Sequence, residues 1–151
     1  MKLAEALAER SDCQVRLEEL KKRLMRSARV QEGEQPAENA TELLREMNGV
    51  FERLSELITA INRTNANTAF DGNRTISDAI SARDLFAKKR DILAGLADAA
   101  STRQDRYSKS EVKFVATVSI AELQKEVDGL SRQYRETDTK LQELNWKPDI
   151  I

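Results

Sequence analysis

Leu123, Val127, Leu130, Tyr134, Thr137, Leu141 and Leu144 recur at unbroken alternating intervals of four and three residues. One face of an α-helix meets that spacing. A strand does not, because its successive side chains point to opposite sides. The same alternation runs through Leu3, Ala6, Arg10, Cys13, Leu17, Leu20 and Leu24. Such stripes are the seams of helix–helix contacts. With five Gly and two Pro in 151 residues, the chain has few places to break, so long helices dominate.

The spacing predicts a first helix over 3–30, roughly 40 Å long at 1.5 Å per residue, ended by Gly33 and Pro36. A second is expected over 40–63, capped by Asn39 with Glu42 three residues on. Its apolar stripe, from Leu43 through Val50, Leu54 and Ile58 to Ile61, covers roughly 140° of the helix wheel, so it should touch more than one neighbour. A third helix is expected over 76–100, capped by Thr75 and Asp78. It carries two stripes: Ile76, Ala79, Phe86, Leu93 and Ala97 on one side, and Leu85, Ile92 and Leu96 on roughly the other. The fourth is expected over 120–144, capped by Ser119 and Glu122.

Between them, 112–118 reads as the best strand in the chain, being β-branched and aromatic with partial alternation. A very short hairpin around Asp71-Gly72, pairing 68–70 with 74–76, is a second candidate. The expected fold is therefore mainly α in one domain, 1–151: two long antiparallel helical hairpins, four-helix and coiled-coil-like, with a small β element. Charge alternates along it. Residues 31–60 carry −5 and residues 81–113 carry +3, which would favour contact between successive helices.

Composition excludes several functions. Without histidine there is no imidazole for acid–base work, for Ser-His-Asp or Cys-His nucleophiles, or for metal ligation. One cysteine, Cys13, gives neither an internal disulfide nor a thiolate cluster. Glu9 and Asp12 form the sole Glu-x-x-acid pair, so a magnesium site built from two such pairs lacks its second half. No metal and no cofactor are expected. A net charge of −1 argues against nucleic acid as a partner. Glu5, Glu9 and Arg10 interrupt the apolar core an export signal needs, and no run approaches the roughly 18–20 apolar residues of a spanning helix. A cytoplasmic location and no membrane partner are expected.

Three arginines, Arg10, Arg83 and Arg90, fall inside apolar stripes and require carboxylates such as Asp84, Glu52, Asp128 or Asp138. The Asn-rich stretch from Asn62 to Asn67 is the most distinctive polar feature. If the second helix continues, Asn62 and Asn65 lie along the stripe of Leu54, Ile58 and Ile61 and need partners. With Arg63, Asn67, Arg74, Arg106 and Tyr107 they make up the candidate ligand- or anion-binding set, against a structural reading as a helix cap and loop anchor.

Five separated segments carry a family resemblance: Lys2–Leu7, Val30–Glu38, Ile61–Asn65, Arg106–Ser108 with Glu111–Phe114, and Leu141–Trp146. In that order they resemble the septicolysin-like family of small bacterial proteins. The resemblance implies a helical bacterial protein, and the family's name implies pore formation. A pore needs strands of roughly 9–11 residues or an apolar helix; Val112–Val118 is shorter than that. The leading expectation is a non-enzymatic, self-associating helical scaffold or interaction protein, because helices apolar on two sides must be covered on two sides. A small-molecule or anion binder at the Asn62–Asn67 and Arg106–Ser108 loops is the alternative, and a membrane-active protein the second.

Overall fold

Side-chain caps start the last three helices where the sequence places them. In the computed structural model, which describes residues 1–101 and 112–151, the chain forms α1 (Leu3–Arg26), α2 (Ala40–Asn67), α3 (Ile76–Ser101) and α4 (Ile120–Leu144). Asn39 Oδ1 accepts from the Thr41 and Glu42 amides at 2.9 and 3.2 Å. Thr75 and Asp78 cap reciprocally: the Thr75 amide donates to Asp78 Oδ2 at 2.8 Å, and the Asp78 amide to Thr75 Oγ1 at 3.2 Å. The Glu122 amide donates to Ser119 Oγ at 3.3 Å.

The described residues fall into two compact units, 1–69 with 143–151, and 70–142. In the first, α1 and α2 form an antiparallel hairpin. Leu3, Ala6 and Leu20 of α1 and Leu43, Leu54, Leu57 and Ile61 of α2 are buried. α1 follows a heptad pattern, with Leu3, Arg10, Leu17 and Leu24 at one seam position and Ala6, Cys13, Leu20 and Ser27 at the other. Flanking them, seven residues apart, Glu9, Arg16 and Arg23 reach across to Arg53, Glu46 and Glu38. Charge sign changes once along this ladder, so a slip of one heptad would set Glu9 against Glu46 in one direction or Arg16 against Arg53 in the other.

α1 stops at Arg26 rather than Val30. The Ser27 amide bonds the carbonyls of Arg23 and Leu24, both at 3.1 Å, and Ser27 is buried. The connection then returns through Gly33, whose φ of 88° is left-handed and favours glycine. α2 runs on past 63 to Asn67, whose Nδ2 donates to the Arg63 carbonyl at 2.8 Å. Residues 143–151 complete the unit: the Ala4 amide donates to the Asn145 carbonyl and Leu3 to Pro148, at 2.8 and 3.0 Å.

In the second unit, α3 and α4 pair in antiparallel fashion through Arg83–Asp138 at 2.8 Å and Lys89–Glu126 at 3.1 Å. The Arg90 guanidinium lies 5.5 Å from the Tyr134 ring centroid. Ile76, Ala79 and Ala97 of α3 and Leu130 and Leu141 of α4 are buried. Before α3 the chain turns at Asp71, whose carboxylate accepts from the Asn73 and Arg74 amides at 2.9 Å each, while the Phe70 amide donates to the Arg74 carbonyl at 2.8 Å.

The strand expected over 112–118 is not formed. Residues 112–116 have no regular structure, and Val112, Phe114 and Val115 are exposed. A strand needs a neighbour for its amides and carbonyls. Among the described residues, bridge pairing is found elsewhere: Lys2 with Asp149, and at Ala69 and Thr75 on either side of the Asp71-Gly72 turn, where the sequence suggested a very short hairpin.

Candidate functional site

The Asn-rich segment does not gather its polar groups inward. Asn62, Arg63 and Asn67 are exposed and Asn65 is half-buried. The polar residue that enters the buried stripe is Thr64, fully covered, its Oγ1 donating to the Ala60 carbonyl at 2.8 Å and accepting from the Ile151 amide at 2.9 Å. Its place follows from the helix period: Thr64 stands three residues past Ile61 and seven past Leu57. Asn62 instead sits one position past Ile61, about 100° round the wheel. Arg74 is held within its own turn, donating to Asp71 Oδ2 at 2.8 and 3.0 Å and covering the Phe70 ring at 5.1 Å. Lys140 lies 4.4 Å from the same ring centroid. Arg106, Tyr107 and Ser108 lie outside the described residues.

A groove of about 440 Å³ opens along the α1–α2 hairpin between the Glu9–Arg53 and Arg16–Glu46 pairs, lined also by Asp12, Cys13, Gly49 and Val50. Arg53 holds Glu9 with Nε at 2.6 Å and Nη2 at 2.9 Å. That pair keeps the Glu9 carboxyl below its ordinary range. A carboxylate so held stays ionised and serves poorly as a neutral-pH proton donor. Among the described residues no three His, Cys, Asp or Glu side chains converge to hold a metal ion.

Of the three seam arginines, Arg83 meets Asp138 and Asp84, and Arg90 meets Asp91 and the Tyr134 ring. Arg10 differs: its buried Nε has no hydrogen-bond partner.

The larger feature is apolar. On α3, Leu85, Ile92 and Leu96 stand on one face and are between 42% and 63% exposed. On α2, Leu44, Phe51 and Ile58, seven residues apart, are between 38% and 51% exposed. Both faces lie away from each hairpin's own buried seam. Fully burying such a side chain is worth roughly 1.5–3 kcal/mol relative to leaving it in water, and these, already about half covered, have part of that still to gain from a partner.

Two antiparallel helical hairpins, each with an outward apolar stripe and a buried inner seam, define an all-α protein. No helix among the described residues is long and apolar enough to cross a membrane. Residues 10–150 match a family of unknown function, DUF6847, and the chain belongs to that family. It is similar to a functionally unknown conserved protein from Corynebacterium diphtheriae whose crystal structure is known: 46% identity over 100% of this chain and 99% of that one, with a TM-score of 0.94. No curated protein matches it.

Proposed function

We propose that this protein is a non-enzymatic helical interaction protein that associates with further copies of itself, acting in the cytoplasm. The observation that carries the reading is the outward α3 face of Leu85, Ile92 and Leu96, apolar at helical spacing and open to solvent. α3's other face already packs through Arg83 and Arg90 onto α4. A helix apolar on two sides needs cover on two sides, and α4 supplies one.

Light scattering after gel filtration at about 50 µM is the test, a concentration at which micromolar association is visible. The expected mass is a multiple of 17.1 kDa. Ile92→Lys is expected to return the chain to a single copy with its helical circular dichroism intact. A wild-type monomer at that concentration overturns the reading.

A further inference from the structure

The two outward faces match each other in spacing and differ in charge. On α2, Leu44, Phe51 and Ile58 are spaced by seven, and on α3 so are Leu85, Ile92 and Ala99, all exposed. Each set spans two heptads, roughly 21 Å of helix. Between these apolar positions α2 places the small polar residues Asn48 and Ser55, and α3 places Lys89 and Leu96. On the flank turned from the hairpin core, α2 presents Glu52 and α3 presents Lys88. Both are exposed, and neither has an ion partner among the described residues.

We infer that α3 of one copy docks on α2 of another in parallel, Leu85 against Leu44, Ile92 against Phe51 and Ala99 against Ile58, with Lys88 beside Glu52. This rests on the self-association proposed above and names its contact. Direction follows from heptad geometry. In parallel pairs the flank preceding the seam on one helix meets the flank following it on the other. With three apolar layers aligned, that rule brings Lys88 to Glu52. In the antiparallel arrangement like flanks meet, and Lys88 instead faces the side of α2 occupied by its own buried Leu54 and Ile61. Pairing α3 with itself in parallel sets Lys88 beside Leu93, with no carboxylate to meet it, whereas the α2 face offers Glu52 at that place.

Complementation tests it. Phe51→Asp spoils the α2 face and leaves α3 intact; Ile92→Asp does the reverse. Each variant alone is expected to be monomeric by light scattering, and an equimolar mixture is expected to form a 1:1 complex. The side chains replaced are exposed, and circular dichroism of each variant checks its fold. A second arm uses charge alone: Lys88→Glu is expected to weaken association roughly tenfold, and adding Glu52→Lys to restore it. A wild-type monomer would remove the self-association reading and this contact together. Association lost in Ile92→Asp but kept in Phe51→Asp, or no complex on mixing, would leave self-association standing and overturn the α2–α3 contact.

Discussion

Thr64 Oγ1 accepts the backbone amide of Ile151 at 2.9 Å while donating to the carbonyl of Ala60, so one fully buried hydroxyl ties residues 87 positions apart. Thr64→Val keeps the shape and removes the acceptor. The Ile151 amide then loses its acceptor, and because Ile151 is exposed and water can replace that bond in part, stability should fall by about 1 kcal/mol. Thr64→Ser, which retains the oxygen, should fall by less. Urea unfolding followed by circular dichroism measures both, and equal losses would place the cost in packing rather than in the hydrogen bond.

Helix identity was legible because it depends on local spacing and caps. The starts at Ala40, Ile76 and Ile120 follow from Asn39, Thr75 and Ser119, whose side chains bond the amides the first turn leaves open. The two faces of α3 were also legible, since Leu85 and Ile92 stand far round the wheel from Ile76 and Ala79. Within the polar segment, the buried position differs from the one expected: Asn62 is exposed and Asn65 half-buried, and the stripe takes Thr64 instead. Three asparagines drew attention to Asn62, Asn65 and Asn67, while helical phase buries Thr64. The period that locates Leu57 and Ile61 would have found it. The expectation of a strand at 112–118 rests on residue preference, which registers a fit to a pleated surface and not the presence of a partner strand. The Arg23–Glu38 pair that accompanies the end of α1 is a long-range contact and has no local signal.

The acid limb of stability should come from four carboxylates. Hydrogen bonds from Arg53, Arg23 and Arg74 hold Glu9, Glu38 and Asp71 below their ordinary range, and the Thr75 amide does the same for Asp78. In each case the unfolded chain binds protons more readily than the folded one. The stabilisation is therefore complete above the unfolded carboxylate range of about 4 and is lost as pH falls through the lower folded values. With no histidine to titrate, the thermal midpoint should be flat between about pH 7 and 5 and then decline below about 4. A midpoint that climbs on acidification through pH 4 contradicts the assignment.

The α1–α2 ladder predicts a charge-swap phenotype. Glu9→Arg places two guanidiniums at the Glu9–Arg53 contact and should lower the thermal midpoint. Arg53→Glu should do likewise, and it also sets a carboxylate beside Glu56. The double variant restores opposite charge across the hairpin and should recover most of either loss. Both side chains are partly solvated, so the effects should shrink in 0.5 M salt, where screening is stronger. Additive losses in the double variant would show that the pair does not couple.

Arg10 supplies the remaining prediction, in the stabilising direction. It occupies the same heptad position as Leu3, Leu17 and Leu24, and its Nε is buried without a hydrogen-bond partner. Covering a guanidinium nitrogen without a partner forfeits its hydration and gains nothing back. The other two seam arginines show what pairing looks like here, Arg83 on Asp138 and Arg90 on Tyr134. Arg10→Leu replaces the unpaired group with the residue this position holds in the neighbouring heptads. Arg10 as a whole is half-buried, so the gain is limited to the hydration that the one covered nitrogen has lost. An increase of about 1–2 kcal/mol in urea unfolding is expected, with Arg10→Met close to it because its unbranched stem fills the same path. Arg83→Leu provides the contrast: it strips Asp138 and Asp84 of their partner and should destabilise. If Arg10→Leu weakens the fold as much as Arg83→Leu does, the unpaired Arg10 Nε is no cost to the fold and the assignment fails.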